Sequence, residues 1–237
     1  MDQTVTVKAK LLNIDEETAH SFMQTMVKYK DACNFISQYV FNHAFELKQS
    51  KLNKALYRDL RNKFGLKSQM AQSAIKTVIA RYKTVKTQLK QKPYRYDTGK
   101  KDGKGHAIWA QTFRNLSWLW YPIQFKRPQL DLQRNRDWSY LSSTKQISLN
   151  TLQGRKKVDF VCKSFDQYLD SDKWKFGTIK LLKFRNQWYM HLALPSLCRN
   201  ISRKKLSMLS GLTVACAFWL PATMKKAKPC FSTVKRH

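Results

Sequence analysis

The chain begins with an alternation. Across Thr4–Leu12 (TVTVKAKLL), apolar Val5, Val7, Ala9 and Leu11 sit between polar neighbours, and this period of two predicts one half-buried strand. The period then lengthens. Ala19, Phe22, Met23, Met26, Cys33, Ile36, Val40, Ala44 and Leu47 recur at helical spacing, and Asn13 with Glu16 three residues on has the spacing of a capping box. A second helix is expected near Leu52–Phe64, carried by Leu56, Tyr57 and Leu60 and stopped by Gly65. A third, Gln69–Gln91, starts after Ser68 and turns Met70, Ala71, Ala74, Ile75, Val78, Ile79, Tyr82 and Val85 inward. After one strand at residues 1–12, residues 13–91 therefore read as a small helical bundle.

Residues 92–108 (KPYRYDTGKKDGKGHAI) break both periods with three Gly, a Pro and repeated Lys, the composition of a solvated basic loop. From Trp109 to residue 195 short alternating runs return, at Gln129–Gln133, Lys145–Asn150, Arg155–Cys162, Thr178–Arg185 and Gln187–Leu194. Gln153-Gly154 and Arg185-Asn186 are turn signals, and the last two runs read as a hairpin. The first strand and these later ones are expected to close into one small antiparallel β-barrel with the helices inserted, an α+β fold. Closure of that kind leaves few exposed edges.

Charge narrows the partners. Lys and Arg number 45 against 15 Asp and Glu, a formal net charge of +30. Self-repulsion of that size destabilises a compact chain unless a polyanion lies nearby, and each cation set on a phosphate releases condensed counterions. Membrane binders gather their basic residues beside one apolar helix face; here they are spread along the whole length, which favours nucleic acid over membrane. The start (MDQTVTVKAK) has no apolar signal core, and Leu206–Leu220 is shorter than the roughly 20 residues that span a bilayer. Five widely spaced cysteines (Cys33, Cys162, Cys198, Cys216, Cys230) form neither a zinc knuckle nor a disulfide framework. A cytoplasmic chain with reduced thiols, no cofactor and no metal is the expectation.

The third helix is the most informative basic element. Arg81, Lys83, Lys86, Lys90, Lys92 and Arg95 follow closely, with Tyr82, Tyr94 and Tyr96 between them. Cations on phosphates and rings on bases hold single strands and loops, although Lys late in a helix also suits the macrodipole. Ser68, Gln69, Gln72 and Lys76 begin that helix; the glutamines can read adenine edges, or Ser68 is only a cap and the glutamines only fill the solvent-facing surface. Arg155-Lys156-Lys157 either grips a backbone or protects an edge strand by charge. Trp118–Pro122 (WLWYP) offers rings for stacking, but Leu116, Leu119 and Ile123 beside it favour packing in the core. His20, His43, His106, His191 and His237 lack partners at ligand spacing. The last acidic residue is Asp172, so residues 173–237 offer no carboxylate for the metal site that two-metal nucleases need.

Four segments in order, YKDACNFISQYVFN (Tyr29–Asn42), LYRDLRNKFGLKSQMAQSAI (Leu56–Ile75), ISLNTLQGRKKVDFVC (Ile147–Cys162) and FGTIKLLKFRNQWYMHLALP (Phe176–Pro195), resemble the TnpB, or OrfB, transposase-associated proteins of bacterial insertion sequences. The resemblance covers roughly residues 4–195, and FGLKSQMA is its most specific piece. It implies an OB-like wedge barrel interrupted by a helical recognition lobe that binds guide RNA and target DNA. The candidate nucleic-acid contacts are Tyr57, Ser68, Gln69, Gln72, Lys76, Arg81, Lys83, Lys86, Lys90, Arg95, Arg155, Lys156 and Lys157. A RuvC-type nuclease, opening on a strand of the form G-[IV]-D-x-G, is expected to follow directly. Residues 196–237 do not match it. Read one base out of frame, however, their codons permit GIDRGLRFLATxYDEKGKTLFFNGK, with Asp at the Leu212/Thr213 junction and Glu forced where Lys225 follows Met224. A frameshift near Leu194–Leu197 is therefore expected, leaving a truncated protein with nucleic-acid-binding regions and no nuclease site. The alternative is a stand-alone RNA- or DNA-binding regulator whose basic C-terminus folds natively.

Overall fold

The computed structural model describes residues 4–162, 168 and 174–195. The tail expected at 196–237, with its apolar stretch Leu206–Leu220, Cys198, Cys216, Cys230 and His237, lies outside the described residues. Strand β1 (Thr4–Leu12) keeps its alternation, with Val7, Ala9 and Leu11 buried and Lys8 and Lys10 exposed. Helices α1 (Glu16–Asn42), α2 (Gln49–Phe64) and α3 (Ser68–Gln91) follow. Each buries one stripe: Phe22, Met26, Cys33, Ile36 and Val40 on α1; Leu52, Leu56 and Leu60 on α2; Met70, Ala74, Ile75, Val78 and Tyr82 on α3. Gly65 ends α2 at φ +64°, a left-handed conformation that glycine adopts without steric cost.

Two expectations about the first helix fail. Asp15, not Asn13, occupies the N-cap; Asn13 sits at φ +50° and its amide donates to Asp159, so the chain turns there before the helix begins. Ala44 and Leu47 fall beyond the end of α1, and Ala44 and Phe45 turn the chain at positive φ.

Residues 92–108 are not a loop. Tyr94–Lys101 (β2) and Ala107–Thr112 (β3) pair antiparallel as a two-stranded ribbon. After a single 3₁₀ turn (Leu116–Trp118) come β4 (Leu130–Leu132), β5 (Trp138–Leu141), β6 (Gln146–Thr151), β7 (Gly154–Val161), β8 (Ile179–Phe184) and β9 (Gln187–Pro195). Every expected strand is present, and β2, β3 and β5 are additional. At the β8–β9 turn Arg185 and Asn186 both have positive φ, 47° and 60°, the two-residue geometry whose twist suits a hairpin.

Seven strands form one antiparallel sheet in the order β4-β8-β9-β1-β7-β6-β5. β1 pairs with β9 on one side and β7 on the other, so the helices are an insertion between the first strand and the rest. The two edges, β4 and β5, are separated by only residues 133–137. Seven flat strands would hold their edges about 29 Å apart at ~4.8 Å per gap, whereas six residue steps reach at most about 21 Å. The sheet must curl, and it does, into a half-barrel whose strand order still ends in two edges. From the sheet, Leu130, Leu132, Trp138, Ile147, Leu149, Ile179, Leu181, Met190 and Leu192 enter the common core. Helix α1 joins that core through Phe22, edge-on to Trp188 at 5.4 Å, and through Ser21 Oγ donating to Thr151 Oγ1. Among the described residues no helix is long and apolar enough to cross a membrane.

Candidate nucleic-acid interface

The short α2–α3 connection fixes where the third helix points its positive end. Leu66 is buried as an anchor, Lys67 is the N-cap with extended backbone, and no side chain caps the helix. The first backbone N–H groups of α3 therefore lack a side-chain acceptor, and they carry the partial positive charge of the macrodipole. They open on a cleft of about 440 Å³ lined by Arg61, Lys67, Ser68, Gln69, Gln72, Arg136, Asp137 and Asn150. Three predicted residues, Ser68, Gln69 and Gln72, thus meet partners about 70 to 80 residues away.

The cleft is cross-braced. Arg136 donates to Gln69 Oε1 at 2.8 Å, a bond that uses the amide oxygen and not its N–H groups. Lys67 Nζ donates to Asn150 Oδ1 at 2.7 Å; partial burial and the neighbouring Arg155 push its pKa down. The Arg155 guanidinium donates to the Arg136 carbonyl at 2.8 Å, and Arg61 reaches the Tyr57 hydroxyl at 3.2 Å. Beneath these cations lies Asp137, 1% exposed. One carboxylate oxygen accepts from the Gln133 N–H at 3.1 Å, and the other has no hydrogen-bond partner among the described residues. Burial pushes this carboxyl up, partly opposed by hydrogen bonds and by Arg155 and Lys67. Four cations stand against one buried acid, so the rim is positive.

A second basic surface runs along the middle of α3. Lys76 lines a pocket of about 480 Å³ with Ser73, Thr77, Asp131, Lys180 and His191, and Arg81 lines one of about 610 Å³ with Lys30, Lys126 and Arg127. Thr77 is the hub: its hydroxyl donates to Asp131 at 2.7 Å and shares a hydrogen bond with Tyr29. Lys180 lies 3.6 Å from Asp131 and offsets its charge. Burial, then Lys8 and Lys180, lower the pKa of His191. Among the described residues Lys126 and Arg127 make no ion pair.

No family model and no curated protein matches this chain.

The remaining predicted residues are dispersed. Lys83, Lys86 and Lys90 are exposed late in α3, and Arg95 is exposed on β2. Tyr82 is buried, its hydroxyl bonded to Ser37, so it stacks on no base. Arg155-Lys156-Lys157 is not one grip, because strand alternation separates its members. Lys156 is tied to Glu17 at 2.5 Å and Arg155 braces the cleft, leaving Lys157 exposed. WLWYP is not core: Trp120 is 88% and Tyr121 79% exposed. Sequence reasoning missed Arg61, Lys67, Arg136 and Asp137 in the cleft. The signal for two of them was present, since Arg61 and Lys67 flank the Gly65 helix stop.

Proposed function

We propose that this chain holds nucleic acid, as the RNA- and DNA-gripping front part of a TnpB-type insertion-sequence protein, separated by a frameshift from its RuvC nuclease. The observation that carries the reading is the cleft at the start of α3. An uncapped helix N-terminus, Lys67, Arg61 and Arg136 converge there with two glutamines. Helix N–H groups and guanidinium forks suit phosphate oxygens, while Gln69 and Gln72 have the donor–acceptor pair that reads a base edge. The order of elements supports the family reading: a curled antiparallel sheet interrupted after its first strand by three helices is what a wedge barrel with an inserted recognition lobe requires. Guide RNA and target DNA are the partners this reading assigns.

In it the chain binds without cutting. The translated sequence contains no Asp or Glu after Asp172, and the first RuvC aspartate lies in the shifted frame. Binding is tested by titrating salt against affinity for RNA and duplex DNA of mixed sequence. A log–log slope of about −0.9 per neutralised duplex phosphate is expected, and an affinity indifferent to salt defeats the reading. The family assignment is tested separately by sequencing the encoding DNA across codons 190–215. A GAC spanning the Leu212/Thr213 codons is expected, and any other base in its first position removes the shifted aspartate.

A further inference from the structure

The ribbon β2–β3 and the segment after it present an unusual surface. Trp109 is 63% exposed and Phe113 67%, in the same stretch of chain as Trp120 and Tyr121, and Tyr94, Tyr96 and Trp118 are each more than two-fifths exposed. Single exposed apolar residues are ordinary, but a contiguous set of aromatic rings marks a binding surface. Two of these rings are parallel, and a third is tilted 49° beside them. Tyr94 and Tyr96, two residues apart on one face of β2, lie nearly parallel (13°) with centroids 6.3 Å apart, and Trp118 lies 5.5 Å from Tyr94. Their cross-strand neighbours, Thr112 and Ala110, are small and leave the rings uncovered. The base of the ribbon is fixed by Arg114 donating to the Lys92 carbonyl at 2.7 Å, and Trp118 by buried Leu116 and the Asn115 cap of the 3₁₀ turn.

Charge identifies the occupant. Residues 81–114 contain ten Lys and Arg and only two acids, Asp97 and Asp102. Both acids are consumed in turns, Asp97 accepting from the Gly99 N–H and Asp102 from those of Lys104 and His106. Protein interfaces are depleted in Lys at their centres, whereas rings interleaved with free cations are how unpaired strands are bound. Duplex bases are already stacked and hide their faces, so rings reach bases only where pairing is absent. We infer that Tyr94, Tyr96 and Trp118 form a stacking platform for unpaired nucleotides, with Arg95, Lys100, Lys101 and Lys104 on the flanking phosphates. This rests on the nucleic-acid reading above and assigns to the ribbon the single-stranded part of the ligand.

The test compares a labelled 20-nucleotide oligouridine with an RNA duplex of equal length, by fluorescence anisotropy over a salt series. The full chain is measured beside a Tyr94→Ala/Tyr96→Ala/Trp118→Ala variant and a Tyr94→Phe/Tyr96→Phe variant. Each ring stacked on a base contributes a factor of about 5 to 150 in affinity. The alanine variant is therefore expected to lose at least about 10-fold on oligouridine, with its salt slope unchanged and duplex binding altered by less than about twofold. The phenylalanine variant keeps wild-type affinity, and since none of the three rings is in the core, all proteins should melt alike. Equal losses on both ligands, or no loss on oligouridine, overturn the platform while the nucleic-acid reading stands. So does a self-association that the alanine variant abolishes without changing oligouridine binding. Failure of the unaltered chain to bind either ligand overturns both.

Discussion

The cleft at the start of α3 and the ribbon beyond its end are both basic, yet they are built in opposite ways. In the cleft each cation is held by a partner: Arg136 by Gln69, Lys67 by Asn150, Arg155 by the Arg136 carbonyl. The floor is a buried carboxylate and the adjoining core. In the ribbon the acids serve the turns, the rings lie open and, among the described residues, no third strand joins the pair. Positive charge alone therefore does not define an interface. A braced cation site offers fixed geometry to a phosphate or base edge, while an open aromatic ribbon adapts to whatever sequence is laid on it.

The sharpest way to break this comparison is to truncate one tryptophan in each place. Trp138 is fully buried beside Asp137 and donates from its indole to the Gly177 carbonyl at 3.2 Å. Trp138→Ala is expected to cost about 3–5 kcal/mol in urea unfolding, taking the cleft with it. Trp109→Ala, on the ribbon, is expected to stay within about 0.5 kcal/mol. Comparable losses from the two would mean that the ribbon is as integral to the fold as the cleft.

Next in size are the cleft cations. Lys67→Gln with Arg136→Gln should weaken RNA and duplex DNA alike and reduce the salt slope by about 0.9 for each duplex phosphate that is no longer neutralised. Altered affinity with an unchanged slope would show that these groups do not meet phosphate.

Asp137 gives a smaller, pH-dependent effect. Its carboxyl is pushed up by burial, so the folded state holds the proton more tightly than the unfolded chain. Stability then falls as pH rises from the unfolded value of about 3.9 through the folded one, and levels off above it. Asp137→Asn should flatten that fall, read as urea midpoints measured between about pH 4 and 7, and should also tighten nucleic-acid binding by removing the one acid under the rim. A midpoint curve identical to wild type would place the acid-range dependence elsewhere. Smallest of all is Lys83→Ala, an exposed change expected to move the melting midpoint hardly at all and to trim the salt slope only if Lys83 touches phosphate.

Much of the fold was legible because burial writes periodicity. β1, the three helices and β8–β9 each bury one face, and their apolar positions repeat accordingly. The ribbon was not legible for the converse reason: a strand pair that buries nothing has no apolar face to record, so KPYRYDTGKKDGKGHAI reads as a loop. β5 was missed because it is four residues long with one buried side chain, Trp138. WLWYP was misread since composition cannot tell an aromatic that packs from one that waits in solvent. In the candidate site, Ser68, Gln69 and Gln72 were visible as a helix start. Their partners Arg136 and Asp137 lie in the five-residue link between the sheet's edges and Asn150 on β6, and no local pattern in the sequence connects them to the start of α3.

The placement of β1 between β9 and β7 has a consequence for synthesis. Thr4 pairs with Pro195 and Leu12 with Asp159, so at ~5–20 residues per second the first strand waits on the order of 10–40 s for its neighbours. The helices, whose contacts are local, can settle in the meantime. During that interval β1 is a lone β-branched segment able to pair with other nascent chains, and Lys8 and Lys10, set between Val7, Ala9 and Leu11, act as gatekeepers against it. The same two lysines that look like surface charge in the finished sheet guard the chain while it is being made.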